Sequence, residues 1–249
     1  MSHGWIRPAL VYLIIAVSGC ASSAEIREQQ SKKNKQVDTQ VQLAVEYMSR
    51  KKWEYAREKA ERALELDSDS SAANNVMGLL LWKLRKPDEA EGFFQKAVEV
   101  RPDDAEAQNN FGVFLCEQNK VDEALEHFIK AASNPLYKTP ERANLNAGLC
   151  LMKKPDIDRA EKFLRTAIKQ QPKLSQALLK LAEISVAKGH LLSARAFIQR
   201  YFQSHRDTPE ALALGVKIEK TLGGRDAEAS YRLRLRGKFP ESAEAARMQ

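Results

Sequence analysis

The chain has 249 residues, of which only 11 are glycine, 9 are proline and 7% are aromatic. Alanine, leucine, glutamate and lysine dominate instead, and this composition favours an all-α fold. The 40 basic and 33 acidic residues are interspersed and give a formal net charge of +7. This mildly basic balance permits an acidic partner or anionic lipid headgroups, and it does not indicate a nucleic-acid-binding protein.

The N-terminus has the pattern of a secretory signal peptide over residues 1–19. An apolar run from Ala9 to Val17 is too short to cross the ~30 Å hydrocarbon core of a bilayer as a helix. The run ends in Val17-Ser18-Gly19-Cys20, which resembles a bacterial lipobox. That resemblance implies cleavage before Cys20 and attachment of fatty acyl chains such as palmitate to this cysteine. The alternative is an ordinary secretory peptide with an incidental cysteine.

The residues after Cys20 indicate the membrane to which such a lipoprotein is sorted and the structure of the segment that follows the anchor. Ala21 follows the cysteine rather than aspartate, and the lipobox resemblance then favours an outer-membrane anchor with the protein facing the periplasm. Residues 20–36 are polar and lack apolar periodicity, so we expect a lipid-anchored flexible tether, with a helix toward its end as the alternative.

Small residues recur at a nearly fixed interval over residues 37–240. They are separated by 34, 34, 36, 34 and 33 residues, and an alanine stands twelve residues after each of them. A period of this size indicates stacked structural repeats rather than one globular core. The recurring small residues are Ala44, Gly78, Gly112, Gly148, Ala182 and Gly215.

Each repeat contains two helical patterns with complementary faces. In the second repeat, Gly78 lies on one helix, and Ala90, Phe94 and Ala97 lie on the next. A small residue lets two antiparallel helices approach closely, while the bulky residue sixteen positions later fills the angle between them. One hairpin cannot bury both of its faces, so consecutive hairpins must stack.

This register resembles the tetratricopeptide repeat family and covers six units over residues 37–240. The resemblance implies an all-α, right-handed superhelical solenoid of about six helix hairpins, followed by a C-terminal tail over residues 241–249. Cys116 and Cys150 fall on apolar faces of predicted helices, and we interpret them as small core residues. A disulfide between them is the alternative, because sequence spacing does not establish its geometry.

The sequence contains no recognisable set of catalytic or metal-binding residues. Its four histidines are scattered, and no zinc, phosphate-binding or dinucleotide-binding motif occurs. We therefore predict a protein that is not an enzyme, with no cofactor, metal or small-molecule substrate.

What remains is a surface for protein partners. In arrays of this family the first helix of each repeat lines a concave groove, which implies mostly apolar groove positions here with Asn75 and Asn109 as polar contacts. Such a groove suits a partner helix or an extended segment. The alternative is that some of these residues pack between repeats or onto the N-terminal tether of the same chain. The predicted groove residues are Val45, Met48, Asn75, Leu79, Trp82, Asn109, Val113, Leu145, Leu149 and Met152.

The combination of lipobox, short tether and six repeats resembles the pilotin lipoproteins of type IV pilus biogenesis. That resemblance implies a protein that binds secretin subunits in the periplasm and promotes their outer-membrane localisation and multimerisation. One alternative is a general cell-envelope scaffold for peptidoglycan enzymes or the outer-membrane assembly machinery. The other, a lytic transglycosylase, needs a catalytic module for which the repeats leave no room.

Overall fold

The computed structural model describes the backbone of residues 9–154 and 156–247, and side chains from residue 23 onward. No β-strand occurs in this part of the chain, which confirms the all-α fold class. The helices are α1 (Ala9–Ser49), α2 (Trp53–Leu66), α3 (Ser71–Lys83), α4 (Pro87–Val100), α5 (Ala105–Glu117), α6 (Val121–Ser133), α7 (Pro140–Leu151), α8 (Ile157–Gln170), α9 (Ser175–Ala187), α10 (Leu191–Ser204), α11 (Pro209–Leu222), α12 (Arg225–Lys238) and α13 (Ala243–Ala246).

The helices are grouped into two compact units that divide between Pro102 and Asp103. In the N-terminal unit, α1 packs on α2 and α3 packs on α4, and these two hairpins contact each other through α2 and α3. In the C-terminal unit, each odd-numbered helix from α5 to α11 pairs with the next helix, and successive hairpins are in contact. Each unit is therefore a stack of the predicted hairpins.

Several helix starts are specified by local sequence. The side chains of Ser70, Asp104 and Thr208 accept a hydrogen bond from the backbone N–H three residues later, at 3.0–3.3 Å. These bonds satisfy donors that the first turn of a helix leaves free. Pro87 and Pro140 occupy the first helical position, where a missing N–H costs nothing.

The turn inside each of several hairpins uses a left-handed residue. Lys51, Arg85 and Asn119 have φ values of 55°, 63° and 61°, and Gly189 and Gly223 have 73° and 74°. These residues stand seven or eight positions after the small residue of their repeat. The repeat therefore fixes the turn conformation as well as the packing. Only the glycine and asparagine residues could have been predicted from sequence to adopt a positive φ, because lysine and arginine rarely do so.

The segment predicted to be a flexible tether, residues 20–36, is helical in the structure. It belongs to α1, which runs without glycine or proline from Ala21 to Ser49. Val37 of this helix is buried against Ala63 and Ala73, so the end of the segment is held by the first hairpin. The helix extends through the whole segment rather than only toward its end, because a lack of apolar periodicity does not prevent a helix in a chain of good helix formers.

The predicted C-terminal tail begins with ordered structure. Its short helix α13 packs on α11 and α12. Ala245 is 2% exposed and lies in a cluster with Leu212, Val216, Tyr231 and Leu235. The tail therefore covers the end of the last hairpin, as a terminal cap of a repeat array does.

Candidate functional site

The first helix of each hairpin is held against the second by the contact that the repeat period predicted. A Cβ added at Gly112 would lie 2.8 Å from the Phe128 ring, and one at Gly148 would lie 2.7 Å from Leu164. Gly78 with Phe94 and Gly215 with Tyr231 repeat this arrangement at 3.0 Å. The sixteen-residue spacing therefore corresponds to direct contact, and it places the first helices of the hairpins in a common register.

In the C-terminal unit, the first helices of two consecutive hairpins enclose an apolar hollow of about 420 Å³. We call it the Val113 hollow. Val113 and Leu149, both predicted groove residues, lie in its wall and are partly exposed. The remaining lining residues are Cys116, Glu117, Phe128, Asn146, Cys150 and Lys153. The hollow is thus open to a partner and can receive a bulky apolar side chain.

Two other predicted groove residues in this unit are buried. Asn109 is 2% exposed, and Leu145 is 8% exposed. The side chain of Asn146 donates a hydrogen bond to Oδ1 of Asn109 at 2.9 Å, which joins α5 to α7. The expectation that Asn109 is an accessible polar contact is therefore wrong, because residues three positions before the small residue pack between hairpins. Met152 caps the end of α7, is partly exposed and is not among the residues that line the Val113 hollow.

The predicted groove residues of the N-terminal unit differ in accessibility. Val45 is 47% exposed, while Met48, Leu79 and Trp82 are partly exposed. Asn75 is only 6% exposed, so it too is not available as a polar contact. Four of the five residues named in this unit therefore offer surface to a partner.

Cys116 and Cys150 form a disulfide with a Cα–Cα distance of 5.8 Å. The preferred interpretation, two unpaired core cysteines, is therefore wrong in its pairing, although both residues are buried. The bond joins α5 to α7 in the wall of the Val113 hollow. The pairing was only the alternative interpretation, because the two cysteines stand four and two positions after the small residue of their repeats and the sequence does not show which offsets come into contact.

Two charged residues at the rim of the hollow, Lys153 and Glu117, were not predicted from the sequence. Nζ of Lys153 donates a hydrogen bond to the backbone oxygen of Cys116 at 2.7 Å, which holds the lysine beside the disulfide. Glu117 is exposed on the same rim. Outside the hollow, Lys154 donates to Asp122 at 2.6 Å, and this hydrogen bond lowers the pKa of that carboxyl group. The rim therefore carries one charge of each sign.

The predicted lipid-attachment residue, Cys20, lies outside the residues whose side chains the structure describes. Among the described residues, no helix combines the length and the apolar character needed to cross a bilayer. The same part of the chain contains no group of three or more histidine, cysteine or acidic side chains placed to bind a metal ion.

Comparison with known families identifies the repeats. Profiles described as tetratricopeptide repeat match residues 41–105, 75–137, 115–175 and 151–218. These matches cover most of the chain and describe a repeat rather than a catalytic domain.

Individual relatives match over nearly the whole length. The type IV pilus assembly protein PilF of Pseudomonas aeruginosa is 26% identical over 247 residues, which is 98% of each chain. A solved structure of P. aeruginosa PilF has a TM-score of 0.79 and 25% identity, covering 87% of this chain and 98% of that one. The structure of PilW, described as a widely conserved type IV pilus biogenesis factor, has a TM-score of 0.75 and 33% identity, covering 85% and 97%. The chain therefore belongs to the tetratricopeptide repeat family, among its type IV pilus biogenesis proteins.

Proposed function

We propose that this protein is an outer-membrane lipoprotein that binds secretin subunits in the periplasm and promotes their localisation and multimerisation in the outer membrane. The observation that carries the proposal is the Val113 hollow, an open apolar site formed by the repeats of a type IV pilus biogenesis protein. The role is non-enzymatic. The protein holds a segment of its partner and performs no chemistry on it.

In this proposal the lipid anchor determines which membrane holds the protein, and we call this its address role. Acyl chains on Cys20 anchor the protein, because each buried methylene contributes about 0.8 kcal/mol and two chains together give stable attachment. The motif Val17-Ser18-Gly19-Cys20 supports this step. A secretin subunit bound by the repeats then reaches the same membrane as its carrier.

The Val113 hollow binds a segment of the secretin subunit, and we call this binding the grip. Val113, Leu149 and Phe128 give it apolar walls, and the rim charges of Glu117 and Lys153 leave its edge hydrated. Burying a leucine-sized side chain in such a site contributes roughly 1.5–3 kcal/mol. Several contacts of this size along one segment are needed for stable capture.

Two variants separate the address from the grip. Cys20→Ser should leave a folded protein that still captures secretin but yields fewer secretin multimers in the outer membrane. Val113→Asp combined with Leu149→Asp should abolish capture while the circular dichroism spectrum stays helical. The double variant of Ile129→Asp and Leu192→Asp is the matched control, because these exposed apolar residues lie on second helices, away from the hollow.

Each outcome decides one part of the proposal. Unchanged secretin multimers in the Cys20→Ser strain would refute the address role. Capture that survives both charges in the Val113 hollow would refute the grip. If the lipidated protein instead co-purifies with peptidoglycan enzymes or the outer-membrane assembly machinery and without secretin, the protein is a general envelope scaffold.

A further inference from the structure

The C-terminal unit contains a second apolar hollow, of about 430 Å³, which we call the Leu214 hollow. Leu214, Val186 and Leu191 form its apolar wall and are each partly exposed. Glu183, Lys217 and Thr221 add polar groups around them. Glu183 and Val186 stand one and four residues after Ala182, at offsets where the repeat register predicts groove residues, whereas Leu214, Leu191 and Lys217 were not predicted.

The two hollows occupy corresponding places in the repeats. The Val113 hollow lies between α5 and α7, and the Leu214 hollow lies between α9 and α11. In both cases the two helices are the first helices of neighbouring hairpins and are in contact with each other. Val186 stands four residues after Ala182, as Cys116 stands four after Gly112. The same kind of site therefore recurs two hairpins further along a single compact unit.

The charges of the two hollows differ. Glu117 and Lys153 balance each other at the Val113 hollow. At the Leu214 hollow, Glu183 is already ion-paired with Lys180 at 2.7 Å. Lys217 is exposed, and among the described residues no carboxylate lies within ion-pairing distance of it. The Leu214 hollow therefore carries an excess positive charge that complements a carboxylate on the partner.

Geometry sets the spacing between the sites. Packed helices lie 8–10 Å apart, so two hairpin steps separate the hollows by roughly 20 Å. An extended peptide rises about 3.3 Å per residue and spans this distance in about six residues, an even number that places both anchors on the same side. An extended segment also needs partners for its backbone N–H groups, and Oδ1 of Asn146 and Oγ1 of Thr221 lie in the two walls as acceptors, since their own donors bond Asn109 and the Lys217 carbonyl.

We propose that the two hollows together bind one extended segment, which carries two bulky apolar side chains about six residues apart and a carboxylate beside the second. This inference rests on the proposed function, since the segment is taken to belong to the secretin. Binding at one hollow raises the effective concentration of the second anchor at the other. Either anchor alone should therefore bind far more weakly than the whole segment.

The test uses the purified full-length protein and overlapping synthetic peptides of the secretin, titrated by calorimetry. We expect one peptide to bind with 1:1 stoichiometry and to lose affinity about tenfold or more with Leu149→Asp or Leu214→Asp. Lys217→Glu should weaken binding about tenfold at low salt, whereas Lys220→Glu, an exposed charge outside the hollow, should not. A half-length peptide with only the second anchor should respond to Leu214→Asp and not to Leu149→Asp.

The controls keep the inference separate from the proposed function. Leu192→Asp, at an exposed neighbouring site, should bind like wild type, and circular dichroism checks each fold. Because Lys217 is exposed, its variant gives an answer even if Leu214→Asp unfolds. Peptide binding that is insensitive to Lys217→Glu, or that has 2:1 stoichiometry, overturns this inference and leaves the proposed function standing. If neither secretin nor any of its peptides binds wild type, the proposed function fails and this inference fails with it.

Discussion

Phe128 lies directly on Gly112, with its ring filling the space that any larger residue at position 112 would need. A Cβ there would lie 2.8 Å from Cε1 of Phe128 and 3.1 Å from the backbone oxygen of Ala124. The ring is 1% exposed and the carbonyl belongs to a helix, so neither neighbour has room to move away. This contact sets the distance between α5 and α6, and thereby one wall of the Val113 hollow.

We predict that Gly112→Ala destabilises the protein by about 1–2 kcal/mol, because the overpacking cost exceeds the gain in helix propensity. The control is Gly92→Ala in α4, where an added Cβ meets nothing within 4 Å. That variant should be more stable by about 0.5–1 kcal/mol. Urea unfolding of both proteins measures the difference, and two changes of the same sign would contradict the account.

The disulfide should contribute substantially to stability. It closes a loop with a sequence separation of 34 residues, and loop-closure entropy gives about 3–4 kcal/mol for this length. Replacing Cys116 and Cys150 together by alanine should therefore lower the free energy of unfolding by up to this amount. A reducing agent should lower the stability of wild type and have no effect on the double variant. Equal free energies of unfolding for oxidised and reduced wild type would contradict a stabilising role for this disulfide.

An ion-pair cluster fixes the last hairpin. Asp207 accepts hydrogen bonds from Nε of Arg234 at 3.1 Å and from Nζ of Lys238 at 2.8 Å. The Arg234 guanidinium also lies 4.6 Å from the ring centroid of Phe202. The hydrogen bonds from Arg234 and then Lys238 hold the pKa of the Asp207 carboxyl group below its ordinary value of 3.8.

Asp207→Asn should destabilise the protein by about 1–2 kcal/mol near neutral pH, because hydrogen bonds to a charged group are lost. The lowered pKa means that the carboxylate's contribution is complete above pH 3.8 and is lost as the pH falls below that value. The gap between wild type and variant should close accordingly in acid. Asp122→Asn is the control, since that exposed pair with Lys154 should have a much smaller effect.

The cap formed by α13 predicts a local effect rather than global unfolding. Ala245→Asp places a charge in the cluster of Leu212, Val216 and Tyr231, and the short helix can avoid that cost by undocking. Hydrogen exchange should therefore accelerate in α13 and at the end of α11, with little change elsewhere. Ala243→Asp, at an exposed position of the same helix, should leave exchange unchanged. Equal effects of the two substitutions would contradict the packing described.

Sequence periodicity predicted the hairpins well, because the contact between Gly112 and Phe128 is a steric requirement that each repeat must satisfy. The groove was predicted less well. Asn109 and Leu145 stand three residues before the small residue of their repeats, a position predicted to face the groove. Both side chains are instead buried between neighbouring hairpins. The pattern of a single repeat does not show this, because the burial depends on contact with the next hairpin. Of the Leu214 hollow, the repeat register predicted Glu183 and Val186 but not Leu214 or Lys217, because contacts between hairpins determine which residues stay exposed.

The most direct test of the central claim places a photocrosslinking amino acid, benzoylphenylalanine, at position 149 in cells that assemble type IV pili. Position 192, exposed on a second helix of the same unit, is the control. We predict that light produces an adduct containing secretin from position 149 and none from position 192. An adduct from position 192 alone, or none from position 149 while secretin still co-purifies, would contradict the claim that partners dock in the Val113 hollow.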